Sequence, residues 1–107
     1  MLTAREAILS ALCRACGEDI ATRFTRSEIC VLAFQFAPEK FAMRGYPHLL
    51  DAKRIDCEII QMCQTRTCHW KWQEQLLVRV GVNLYRLTQA GRDVGRRIEA
   101  SRKEEAA

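Results

Sequence analysis

Proline is scarce in this chain: Pro38 and Pro47 are the only two in 107 residues, and they bracket one stretch. No Pro/Gly-rich linker, internal repeat or low-complexity tract is present, so the sequence reads as one domain over 1–107, with an ordered core at about 3–100 and a charged tail at 101–107. Long hydrophobic runs are missing too. No apolar stretch approaches the ~20 residues that span a bilayer, which argues against a membrane partner. Arg5 and Glu6 interrupt the first apolar stretch, and no leader-like cleavage site follows, so a reducing cytoplasm is the expected compartment. Histidine is limited to His48 and His69, and neither sits in a recognisable acid–base or zinc-protease spacing. There is no Gly-rich phosphate loop and no nucleophile elbow. The sequence therefore predicts no enzyme.

What remains is a globular composition, 49% hydrophobic and 28% charged, with a net charge of +4 that favours a polyanionic partner. Residues 3–16 have helical periodicity, with Ile8, Leu12, Ala15 and Cys16 on one face and Gly17 as the stop. Thr3 and Glu6 have capping-box spacing. A brief strand is expected at Ile20-Ala21-Thr22. Thr25 and Glu28 form a second capping box, flanked by a Phe24–Ile29 hydrophobic staple, and open a helix that runs to about Ala37 and stops at Pro38. Ile29, Leu32 or Ala33, and Phe36 form its core face. Residues 38–50 are expected to be a loop pinned by Phe41, Met43 and Tyr46.

Asp51 caps a third helix at roughly 52–64, with Ala52, Ile55, Ile59 and Met62 inward. Lys53, Cys57, Ile60 and Gln64 lie on its other face, beside Arg54 and Gln61. Leu76, Val78 and Val80 then alternate with Leu77 and Arg79, the period of a half-buried strand. Gly81-Val82-Asn83 supplies a turn, Leu84–Leu87 returns, and Thr88 caps a last helix at about 89–103. That helix buries Ala90, Val94 and Ile98. Arg92, Arg96, Arg97 and Arg102 line its other sides, and Gly91 and Gly95 permit close approach. Trp70 and Trp72 lie in the extended stretch before the hairpin and face one way.

The run LLVRVGVNLYRLTQAG at 76–91, and above all its ending YRLTQAG, resembles the wing and last helix of winged helix-turn-helix DNA-binding domains. The resemblance covers residues 3–100 by element order. It implies an α+β, mostly helical fold with a three-helix core, a β-hairpin wing and a C-terminal helix. It also implies a small double-stranded-DNA-binding protein that regulates transcription. Its third helix would enter the major groove with Lys53, Arg54, Gln61, Gln64, Thr65 and Arg66, types that pair with base edges and phosphates. Thr25 and Ser27 at the second helix, and Arg79, Asn83 and Arg86 on the wing, would complete the contact. The same residue types also occur on ordinary solvated faces. The C-terminal helix either makes a homodimer or packs on the first helix.

Six cysteines are many for a cytoplasmic chain. Packed free thiols are the default reading. Cys13 and Cys16 have CxxC spacing, and with Cys68 and His69 they could supply four zinc ligands if the first helix ended near the wing. Two further functional readings therefore stand beside DNA binding. One is a protein-interaction or assembly module, favoured by Ile60 and by the mixed charge of the third helix. The other is a metal- or redox-responsive regulator that uses its cysteines.

Overall fold

In the computed structural model the backbone is described for residues 2–64, 66–68 and 71–106, and side chains for all of these except 66–68, 71–73 and 104–106. Among the described residues the fold is α+β, dominated by helices with small antiparallel sheets. Its elements follow from local signals first.

The Thr3 hydroxyl accepts from the Glu6 amide, and the Glu6 carboxylate accepts from the Thr3 amide, so a full capping box opens helix α1 (Ala4–Cys16). Gly17 ends α1 with φ 57, a conformation that costs other residues a Cβ clash. Asp19 then takes over the connector. Its side chain accepts from the Ala21 amide and its carbonyl from the Thr22 amide, so residues 20–22 turn rather than extend. The expected strand lies two to four residues later, as β1 (Phe24–Thr25).

Thr25 and Glu28 repeat the reciprocal cap and open helix α2 (Arg26–Phe36). Phe24 and Ile29, the staple pair, are both buried. Pro38 does more than stop α2: it is the first residue of a one-turn helix α3 (Pro38–Phe41), a position that needs no amide hydrogen. The stretch expected to be a loop is thus α3 followed by a two-stranded ribbon, β2 (Ala42–Met43) and β3 (Tyr46–Leu50). Of the three residues expected to pin it, only Phe41 is buried. Met43 and Tyr46 are exposed, because the ribbon stands off the core above Phe41.

Asp51 accepts from the Arg54 amide and opens helix α4 (Ala52–Met62), two residues shorter than expected. Ile55, Ile59 and Met62 are buried as expected, whereas Ala52 is exposed in the first turn. After it come β4 (Arg66–Cys68) paired with β5 (Lys71–Gln73), then the hairpin β6 (Leu77–Gly81) and β7 (Leu84–Leu87). The hairpin turn is narrower than expected. Gly81 pairs with Leu84 inside the ladder, and Asn83 alone takes the left-handed conformation, φ 54. Strand β7 lies between β6 and β1, so Phe24 faces Tyr85 and Thr25 faces Leu84.

Thr88 caps helix α5 (Gln89–Ala106): its hydroxyl accepts from the Gly91 amide and donates to the Gln75 carbonyl. Helix α5 packs on α1. Gly95 sets that approach, since a Cβ there would stand 2.7 Å from Cys13 Sγ and 2.9 Å from the Leu9 carbonyl. The packing turns the Leu9–Cys13 side of α1 inward and leaves Ala15, expected in the core, exposed. It also buries Arg92, expected in solvent. The Arg92 guanidinium donates to the Gly17 and Glu18 carbonyls at 2.8 and 2.9 Å and so ties down the chain just past the end of α1. The core gathers Ile8, Leu9, Leu12, Ile29, Phe41, Ile55, Ile59, Met62, Leu77 and Leu87 from every layer. Among the described residues no helix is long and apolar enough to cross a membrane.

Candidate nucleic-acid interface

Helix α4 is amphipathic at the helical period, so burying Ile55, Ile59 and Met62 forces Lys53, Cys57 and Ile60 outward. Lys53 and Arg54 are exposed in the first turn, where the Asp51 carboxylate takes the Arg54 amide. Two acids also sit on α4, and neither is left to itself. Asp56 accepts from Arg26 of α2 at 2.6 Å, and Glu58 accepts from Arg5 of α1 at 3.3 Å. The outer stripe of α4 therefore shows two cations, a thiol and an isoleucine that is 55% exposed.

The expected base-reading set is only partly assembled. Gln61 is half-buried, and its side-chain oxygen accepts from Arg5 Nη2 at 2.7 Å, so that oxygen is already engaged. Gln64 lies past the helix, in the bend after Cys63, and is exposed. Thr65 and the Arg66 side chain lie outside the described residues. The Thr25 hydroxyl is committed to its cap, and Ser27 beside it is exposed.

On the hairpin, Arg79 is exposed and donates to the Gly81 carbonyl at 3.2 Å, which folds it back toward the turn. Asn83 is exposed at the tip, and its carbonyl accepts from the Arg26 amide at 3.1 Å. That bond places the hairpin tip beside the start of α2. Arg86 is half-buried, with Nη1 donating to the Leu87 carbonyl at 3.4 Å. Val82 is 82% exposed between them.

Charge is unevenly spread along the chain. Residues 40–54, the ribbon and the start of α4, hold four cations and one acid, and that acid is the α4 cap. Residues 75–92 hold three arginines and no acid, although Arg92 is spent on α1. The rest of the chain has ten cations against twelve acids. All of the positive excess thus lies in two stretches. Reading helix by helix missed Arg44, Tyr46 and His48 of the ribbon, all exposed. The acid-free window from 40 to 50 was the signal that could have found them.

The cysteines separate by position. Cys13 and Cys16 are buried at the end of α1 and turn their thiols to backbone: Cys13 Sγ to the Arg92 carbonyl, Cys16 Sγ to the Cys13 carbonyl. Burial, with Cys16 nearby, pushes the Cys13 thiol up, and burial does the same for Cys30 and Cys63. Cys57 is exposed on α4. The Cys68 side chain and His69, the other half of the zinc set, lie outside the described residues. Among the described residues no three His, Cys, Asp or Glu side chains gather as a metal site would need. No protein-family model, curated protein or solved structure matches this chain.

Proposed function

We propose that this chain is a small duplex-DNA-binding domain of winged helix-turn-helix type, acting as a transcriptional regulator. Helix α4 enters the major groove, and the β6–β7 hairpin meets the backbone. Element order supports the reading: α1, β1, α2 and α4 precede the hairpin, and β1 completes its sheet beside β7. The carrying observation is the charge on α4. Its two acids are held by Arg5 and Arg26 on its flanks, which leaves Lys53 and Arg54 as the charged groups of its outward first turn. An anionic duplex meets two exposed cations there, beside the single carboxylate of Asp51, which is engaged on the Arg54 amide.

In that pose Arg54 reaches base edges, Lys53 neutralises phosphate, and Arg79 and Asn83 hold the strand at the hairpin. Regulation then follows from occupancy, with no chemistry required of the domain. Anisotropy of a labelled duplex, titrated across a salt series, tests this. Binding is expected to weaken steeply with salt. Lys53→Ala is expected to weaken all sequences alike, and Arg54→Ala to cost ~1–3 kcal/mol mainly on the preferred site. Absence of binding by the unaltered protein at low salt would refute the proposal.

Ile60 favours a second reading, a protein-docking face on the same helix. An Ile60→Asp variant that keeps DNA affinity but loses a partner would support it, and one that changes neither would remove it.

A further inference from the structure

The β2–β3 ribbon has no structural employment proportionate to its length. Tyr46, Pro47, His48 and Leu49 are all exposed, so the strand shows both faces to solvent. Only its base touches the core, through half-buried Leu50 and the buried Phe41 before it. A two-stranded ribbon is marginal by itself, yet this one is tied firmly at its root. The Asp51 amide donates to the Phe41 carbonyl at 2.7 Å, and the Asp51 carboxylate accepts from the Arg54 amide. Ribbon and α4 first turn thus share one residue as their joint.

We infer that this ribbon is a second contact with the duplex, gripping the phosphate backbone through Arg44 at its tip, with Tyr46 and His48 as further hydrogen-bond donors. The inference rests on the DNA-binding reading of α4. Charge complementarity selects the occupant: Lys40, Arg44, Lys53 and Arg54 outnumber the nearby acids, Asp51, which is turned to its cap, and Glu39 of α3, which lies beside the ribbon. A protein strand added to the ribbon edge fits worse, because β3 bulges between Tyr46 and Leu50 and Pro47 in that bulge has no amide to donate. Phosphate contacts need no ladder. Tyr46 and Leu50 pair with the neighbouring residues Met43 and Ala42, so residues 47–49 bulge outward between them and put His48 at the solvent side of the ribbon.

The test is the salt dependence of binding to a labelled random-sequence duplex, measured for the unaltered protein and for Arg44→Ala, Lys53→Ala and Lys103→Ala. Arg44 is exposed beside the turn and Lys103 is exposed on α5, so both changes are expected to leave the fold intact, which a circular-dichroism melt checks. Loss of one phosphate contact lowers the slope of log affinity against log salt by about 0.9. The inference expects that drop for Arg44→Ala, alike on every sequence, its recovery in Arg44→Lys, and no drop for Lys103→Ala. A drop for Lys53→Ala with none for Arg44→Ala overturns the ribbon contact and leaves the α4 reading standing. No binding by the unaltered protein overturns both.

Discussion

Gly91 is where a single methyl group should do the most damage. The residue is buried in the first turns of α5, against the segment that leads into β6. A Cβ built there would stand 3.0 Å from the Leu76 carbonyl carbon and closer than that to its oxygen. Real contacts of this kind are not tolerated, so the Leu76 backbone or α5 must move. Leu76 is poorly placed to do so. Its amide donates to the Met62 carbonyl at 2.9 Å, and its carbonyl accepts from Thr88 at 3.2 Å, joining the end of α4 to the start of α5. In an open helix, Gly→Ala would gain about 1 kcal/mol of propensity. Here overpacking costs ~1–3 kcal/mol, and weakening the two backbone bonds costs about 1 more each. The net expectation for Gly91→Ala is a loss of roughly 2–4 kcal/mol. In a domain of this size 1 kcal/mol moves Tm by ~4–8 °C. Thermal unfolding followed at 222 nm reads the effect directly. Gly95→Ala should be milder, because the nearest obstacle is the Cys13 sulfur, and Cys13→Ala should relieve part of the strain. A Gly91→Ala protein that melts at or above the parent temperature would refute the packing described around Leu76.

Two other outcomes follow from the same geometry. Among the described cysteines, Cys57 should be the first alkylated by a small maleimide in the folded protein, with Cys13, Cys16 and Cys30 protected until unfolding. On the DNA-binding reading, that adduct lies on the outer stripe of α4 and should abolish duplex binding; peptide mapping beside an anisotropy titration checks both. Stability should fall as pH drops below the ordinary carboxylate range. Burial pushes Glu99 up, but hydrogen bonds from Ser10 and Arg14 and the charges of Arg14 and Arg102 outweigh it, and the net shift is downward. Hydrogen bonds from Thr25, backbone amide first, lower Glu28 as well. A lowered folded pKa gives stability that is full above the unfolded value and disappears as pH falls through the folded one. Melts between pH 6 and 3 should show this loss, and Glu99→Gln should flatten it; an unchanged slope would contradict the Ser10–Glu99–Arg14 cluster.

Signals confined to a few residues were legible in the sequence. Thr3 with Glu6, Thr25 with Glu28, Asp51 and Thr88 all cap the helices they were expected to cap, because an N-cap bond closes within three residues. Features set by a distant partner were not. Arg92 reads as a solvated helix residue until α5 meets the end of α1, some seventy-five positions earlier in the chain. Gln61 reads as a base reader until Arg5 reaches it from α1. The ribbon was hidden for another reason. Its strands carry no alternation, since neither face is buried, and alternation is what marks a strand in a sequence. For the candidate interface, residue types on α4 were readable, but not which of them were already engaged.

The ion pairs on α4 tie that last point to function. Arg26–Asp56 and Arg5–Glu58 are partly exposed, and pairs of this kind contribute little to stability, typically under about 1 kcal/mol. A fold does not need them, and apolar or neutral residues at 56 and 58 would serve the core equally well. Their clearer consequence is electrostatic. Each places a guanidinium against a carboxylate within about one and a half turns of Lys53 and Arg54, and so offsets on α4 a repulsion that a duplex would otherwise meet. On the proposed reading, α1 and α2 thus contribute to binding without touching the nucleic acid. Their arginines offset the charge of Asp56 and Glu58, while the acid-free stretches at 40–50 and 75–92 supply the contacts on either side in the chain.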